Sequence, residues 1–262
     1  MRRPLLVALL ICSSALSASA AGLDLFAPYL AGRYFTWEEY QGGRRLLRES
    51  GPLYAAGAVA GVTVHRVVTL RSRGEIFGGI VDYAGETQAP NPVPVDTDVD
   101  YVGTREEFDL GARVPAGAAE LEPFAGLGHR FWLRGLENAT SRNGQPVSGY
   151  TELWQCGYAR FGLRGYWSTS PKDSLFAEGG AKYPFYVGNS VDFDNGGWTT
   201  FHPGGDWSGF GEVGLVHHRL RLSLTYEGFR FSPSPTVDVA GSTFLQPESH
   251  SDIYGVRVGW SF

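Results

Sequence analysis

The sequence predicts an all-β chain folded as an up-and-down antiparallel transmembrane β-barrel of about ten strands. Three observations predict it. Segments in which apolar and polar residues alternate recur along the chain, and that alternation is the period of a strand with two unlike faces. The connections between the segments run short, then long, in strict turn. Glycine accounts for 36 of 262 residues and aromatic residues for 14%, where the usual glycine share is roughly 7%.

The N-terminus reads first as an address. Arg2 and Arg3 precede the apolar run "LLVALLICSSAL" and the small residues Ala18, Ser19 and Ala20. A basic start, a short apolar stretch and a small-x-small site form the pattern of a secretory signal peptide. The run is shorter than the roughly 18 apolar residues of a membrane-spanning helix. Ile11 stands before Cys12, where a lipoprotein site wants a small residue. Residues 1–20 are therefore expected as the signal peptide and 21–262 as one barrel domain. Losing Arg2 and Arg3 leaves 20 basic against 27 acidic residues, a formal charge of −7, which argues against nucleic acid as a partner. Cys156 is then the one cysteine left, so no intrachain disulfide can form. A mean hydropathy of −0.15 suits a soluble protein and a barrel with a polar interior equally well.

Strands are expected at about 28–38, 56–70, 75–86, 104–114, 120–133, 150–166, 174–187, 206–216, 219–231 and 251–262. Most match or exceed the roughly 9–11 residues that a tilted strand needs to cross a bilayer. The second sets Val62, Val64 and Val68 against Thr63, His65 and Thr69. The fourth sets Phe108, Leu110 and Ala112 against Glu107, Asp109 and Arg113. The fifth sets Leu121, Ala125 and Leu127 against Glu122, Gly126 and Arg130. The seventh sets Leu175 and Ala177 against Glu178 and Lys182, and the ninth Leu222 and Leu224 against Arg221 and Ser223. Eight strands is the alternative, should the first two segments be drawn wrongly. Pro123 and Pro184 remove ladder donors near strand ends.

The short connections are "RSRG", "PAGA", "STSPKD" and "HH". The long ones are "QGGRRLLRESGP", "TQAPNPVPVDTDVDYVG", "GLENATSRNGQPVSG", "GNSVDFDNGGWTTFHPGG" and "SPSPTVDVAGSTFLQPESH". An even strand count places both termini on the short-turn side. Aromatic pairs near strand ends, Phe35 with Trp37, Phe131 with Trp132, Phe185 with Tyr186, Phe229 with Phe231 and Trp260 with Phe262, read as two interfacial girdles.

The last strand, "SDIYGVRVGWSF", sets Tyr254, Val256, Val258, Trp260 and Phe262 on one face. A terminal strand of this pattern ending in Phe resembles the C-terminal signature of Gram-negative outer-membrane β-barrels. The resemblance implies residence in the outer membrane after periplasmic transit. It also implies contact with outer-membrane lipid, and assembly machinery that reads those five residues.

The inward faces then hold Asp82, Glu107, Asp109, Glu122, Glu152, Glu178, Glu212 and Glu227 against Arg113, Arg130, Arg160, Arg164, Lys182, Arg221 and Arg257. The signs nearly balance. A barrel near eight strands is filled by its side chains, whereas aqueous channels belong to roughly 16 or more. The expectation is an ion-pair network that fills the lumen; a narrow conducting path lined by the same charges is the other reading.

Other constellations carry weaker chemistry. Asp96, Asp98 and Asp100, with Glu107 eleven residues after the first, repeat part of the EF-hand calcium spacing and make a weak calcium site an expectation. Tyr101 holds the place of the required glycine, and the same residues also read as a solvated acidic loop. Ten strands with acidic loop pairs also resemble the omptin proteases. Asp98 and Asp100 would imitate that family's paired carboxylates, and Asp192, Asp194 and His202 lie in the fourth long connection, but without the family's Asp-x-His. Lipid-modifying barrel enzymes place His and Ser near lipid. Here Ser249, His250 and Ser251 are immediate neighbours, which an extended strand points to opposite faces. His217 and His218 read as turn filling, and Asn138 as a sequon by pattern alone. The function expected is a non-enzymatic surface barrel whose long loops bind something outside, without a cofactor. A small pore is the second reading and an enzyme the third.

Overall fold

The computed structural model describes residues 23–87, 91–193, 197–239 and 241–262, so the expected signal peptide lies outside the described residues. Ten long strands carry the fold: β1 (Leu25–Gln41), β2 (Arg44–His65), β3 (Val68–Glu86), β4 (Pro94–Ala112), β5 (Ala119–Leu136), β6 (Thr151–Ser168), β7 (Asp173–Phe193), β8 (Ser208–His217), β9 (Leu220–Ser232) and β10 (Glu248–Trp260). Each pairs antiparallel with its neighbours in sequence, and β10 pairs back onto β1. The sheet closes into a ten-stranded barrel, not one of eight, and no helix occurs among the described residues. Closure leaves no unpaired edge, the condition for a sheet to span hydrocarbon.

Four expected connections are strand in whole or in part. One of them, residues 188–205, holds the top of β7 to Phe193 and the short strand Gly197–Phe201 paired with it. The stretch expected as the first long loop forms the tops of β1 and β2, which join through Gly42–Gly43 alone; these glycines take φ of 59° and 79°. Such left-handed turns match strand twist and suit glycine. The second hairpin turns at Arg66–Val67, with Arg66 at φ 45°, so "RSRG" lies inside β3. Residues 94–103, expected as loop, belong to β4. Seven strands therefore run to 17–22 residues, well beyond the roughly 9–11 that a bilayer needs. Pro184 falls where the β6–β7 register shifts, and Pro123 lies just past the last β4–β5 pair; both are places where a missing donor is tolerated.

The outer wall explains how the barrel sits. Leu30, Ile76, Phe108, Leu127, Leu215, Leu224 and Val256 all point out and are exposed. Trp167, Trp260 and Phe262 bound this band toward the short turns, and Tyr34, Tyr54, Tyr183 and Tyr254 toward the other end. An apolar outside around a charged inside inverts a soluble fold and matches lipid. Within the band, Glu106 and His129 face outward as a cross-strand pair 3.4 Å apart. Above it the outward residues turn polar: Glu38, Arg48, Asp82, Asp98 and Asp100. The wall thus continues past the band. The girdle reading needs correction in part. Phe35, Trp37, Trp132, Phe229 and Phe231 point inward and are buried.

Candidate functional site

The lumen is built in three layers, set by which inward row of each strand reaches which height. The lower layer, level with the apolar band, is a grid of ion pairs. Glu227 accepts hydrogen bonds from Lys182 at 2.8 Å and from Arg105 and Arg130 at 3.0 Å each. Glu75 accepts from Tyr29 at 2.8 Å, Arg33 at 2.7 Å and Arg105 at 3.0 Å. Glu107 takes Arg73 at 3.0 Å, the Tyr158 hydroxyl at 2.8 Å and Arg160. Gly128 gives Tyr158 room to lie there, since a Cβ would collide with its ring. Glu178 bridges Arg160 and Arg164 at 2.6 and 2.7 Å. Arg164 also reaches Glu122 at 2.7 Å and Asp109. Nearer the short turns, Glu212 holds Arg257 at 2.6 Å, and Arg71 and Arg113 approach Glu122 at 3.6 and 3.7 Å. Arg221 stands 4.2 Å over the Phe176 ring, with no carboxylate in contact among the described residues.

The middle layer is aromatic. Trp132 and Trp154 stack 5.4 Å apart, Trp37 meets Trp154 edge-on at 5.0 Å, and Phe231 closes the cluster at 5.8 Å. Arg130 lies 4.4 Å over Phe77, a cation–π contact joining this layer to the grid.

The upper layer sits level with the polar outer wall. Arg134 lies between Glu49 and Glu152, the latter at 2.8 Å. Tyr101 donates to Glu49, Trp154 to Glu152 at 2.7 Å, and Trp37 to Glu39 at 2.9 Å. Gln246, from the last long loop, donates to Glu39 at 3.1 Å and accepts from Asn189 at 2.8 Å. Above lies a vestibule of about 300 Å³, floored by Glu39, Glu152, Tyr83, Tyr150 and Gln246. Glu86, Glu137 and Asp192 stand around it, Glu86 paired with Arg44 at 2.6 Å, and among the described residues no lysine or arginine lines it.

Of the residues expected in the lumen, Glu107, Asp109, Glu122, Arg130, Arg160, Arg164, Glu178, Lys182, Glu212, Arg221, Glu227 and Arg257 lie in the lower layer, and Glu152 lies in the upper. Arg113 sits at the lower mouth, half exposed, against Glu120 at 3.4 Å. Asp82 does not belong: it is on the outer face of β3, opposite Asp98. Sequence reasoning missed Arg71 and Arg73, hidden in the supposed turn, and Glu49, hidden in the supposed loop. It also missed Arg33, Glu39, Glu75, Arg105 and Arg134, which alternation along their own strands could have found.

The calcium expectation is corrected by the same wall. Asp96, Asp98 and Asp100 occupy one exposed face of a straight strand, spaced roughly 6.5–7 Å apart, and cannot wrap around an ion. Among the described residues no group of three or more His, Cys, Asp or Glu is placed to hold a metal. Nor do Asp98 and Asp100 face across the mouth as a paired carboxylate site requires. Asp192 lines the vestibule, Asp194 lies outside the described residues, and His202 contacts the Val187 carbonyl at 3.1 Å. His250 faces out and meets Glu248 at 2.9 Å, while Ser249 and Ser251 are buried inside the wall.

No protein-family model matches the sequence, and no curated protein aligns with it significantly. Solved structures do match in shape. The outer membrane protease OmpT from Escherichia coli superposes with a TM-score of 0.57 over 94% of this chain and 100% of its own, at 11% identity. The fold is that of the Gram-negative outer-membrane β-barrels. An outer membrane channel from Pseudomonas putida F1 (TM-score 0.42, 10% identity, 92% and 96% covered) and the translocator domain of the autotransporter NalP from Neisseria meningitidis (0.39, 14%, 97% and 94%) are more distant. A likeness at 11% identity shows the fold and assigns no activity, so the lumen and its mouth must carry the functional reading.

Proposed function

We propose that this protein is a non-conducting outer-membrane barrel whose outer vestibule binds a cationic group. The observation that carries the reading is the arrangement of the upper layer. Carboxylates floor and rim a cavity of about 300 Å³ that, among the described residues, no lysine or arginine lines, and the Trp37–Trp132–Trp154 cluster with Arg134 fills the barrel beneath it. Acidic walls in a concave, partly water-excluded site attract positive charge and strengthen its binding. The filled lower layer favours binding over conduction.

Trp37 and Trp154 donate to Glu39 and Glu152 of the vestibule floor, so tryptophan fluorescence reports on occupancy. Titrating the folded barrel with spermidine or argininamide should change the emission saturably. Glutamate and glucose should not. The double variant E39Q/E152Q should lose the response while remaining folded. A response to all four solutes alike, or one that survives in E39Q/E152Q, contradicts the reading.

The same reading places the long connections outside the cell and has the assembly machinery read the C-terminal strand. Cys156 is fully buried, so a cysteine introduced at exposed Asn143 can be labelled against a silent background. A membrane-impermeant maleimide should label N143C on intact cells; labelling only after lysis would invert the topology.

A further inference from the structure

We propose that the lower lumen binds a halide-sized inorganic anion in a cavity near its short-turn end. Below the aromatic layer, ten arginine and lysine side chains point inward among the described residues, against seven carboxylates. Arg113 and Glu120, at the mouth, offset one another. The signs that nearly balance along the sequence are thus sorted by height. The upper layer holds Glu39, Glu49 and Glu152 against Arg134 alone, and the lower layer carries an excess of three positive charges.

That excess is level with the apolar band, where neither lipid nor bulk water neutralises it. Unpaired charge in such surroundings is costly. It is also concentrated. A cavity of about 30 Å³ is lined by four guanidinium groups, Arg71, Arg73, Arg221 and Arg257, against two carboxylates, Glu178 and Glu212. Glu178 is held by Arg160 and Arg164, which lie outside this lining, and Glu212 pairs with Arg257 and Arg73 of the lining itself, which leaves Arg71 and Arg221 without a carboxylate of the cavity. Arg221 lies over the Phe176 ring and has no carboxylate within ion-pair distance among the described residues.

A second observation points to a ligand there. The buried Nε–H groups of Arg73 and Arg257 have no hydrogen-bond partner among the described residues, and both side chains line this cavity and the next one up. Arg257 is more than nine-tenths buried. Donors without acceptors, surplus positive charge and a small cavity fit an anion about the size of one or two water molecules. A nucleotide or lipid phosphate headgroup is far too large.

The test is anion-dependent stability of the refolded barrel at constant ionic strength. Exchanging gluconate for chloride should raise the unfolding temperature. Above the dissociation constant each tenfold rise in chloride multiplies the folded-to-unfolded ratio about tenfold, a shift of roughly 3–5 °C in a chain of this size. R221Q should fold and lose the chloride response. R219Q, changed at an exposed position in the turn that precedes β9, should keep it. A bromide-soaked crystal should show anomalous density beside Arg221. Equal unfolding temperatures in chloride and gluconate, as water alone in the cavity would give, overturn the proposal. So does a chloride response that persists in R221Q.

Discussion

The lower and upper halves of the lumen are built from the same residue types yet solve different problems. Below, arginines and glutamates are enclosed by hydrocarbon through the wall, and the carboxylates find their partners within the barrel. Glu227 answers with three cationic neighbours and Glu75 with two arginines and a tyrosine. Above, the wall is polar on its outer side and the lumen opens to a vestibule. There three carboxylates stand with one arginine, which pairs with Glu49 and Glu152, while Trp37 and Gln246 donate to Glu39. A charge surplus is tolerable next to water and costly next to lipid. The upper half can therefore keep its excess of carboxylates beneath and beside the vestibule for binding, while the lower half fills the barrel.

Breaking the lower grid should cost most. Glu227→Ala strands Lys182, Arg105 and Arg130 together, and should destabilise the barrel by about 3–5 kcal/mol, read as a lowered urea midpoint in detergent or vesicles. In the upper half Glu152→Gln retains an acceptor for Trp154 but removes the charge facing Arg134. A loss of about 1.5–3 kcal/mol is expected, smaller because water reaches this layer. Equal losses at the two sites would erase the distinction between the halves.

A third change addresses the wall between them. Glu106 and His129 face lipid with Phe108 and Leu127 beside them, an exposure that hydrocarbon disfavours. E106L/H129L should stabilise the folded barrel by about 1 kcal/mol, measured by the same urea titration. Destabilisation would mean that the pair has a partner in the membrane. The smallest effect on stability, and the largest on yield, is expected at the C-terminus. Phe262 ends the outward row and its ring lies 6.1 Å from Phe26, whereas Ser261 lies off that row. F262D should lower the heat-modifiable, assembled fraction in cells far more than S261A; matching yields would remove the C-terminal strand from the account.

The barrel and the contents of its lower half were legible because alternation is strict where one face meets lipid. Leu220–Leu222–Leu224 against Arg221–Ser223–Thr225 leaves no doubt about sidedness. The upper half was far less so. Where the wall stands in water on its outside, "RRLLRESG" and "DTDVDYVG" are polar on the outward face, and composition cannot tell such a strand from a loop. That ambiguity hid Glu49 and turned Asp96, Asp98 and Asp100 into a loop. Arg71 and Arg73 were lost for a different reason. The true turn at Arg66–Val67 contains no glycine and puts Arg66 in a left-handed conformation, so Gly74 drew the turn to itself. The inward aromatics were missed because Trp37 and Phe231 lie near strand ends in either reading, and only register shows which way they point.

The central claim is that the lower grid and the tryptophan layer close the lumen. Single-channel recording of the refolded, unmodified barrel in a planar bilayer tests it most directly, with folding verified by the gel shift on boiling. A silent bilayer at all applied voltages is the predicted result. Stable open events of uniform size, with ion selectivity that changes in R257A, would contradict it.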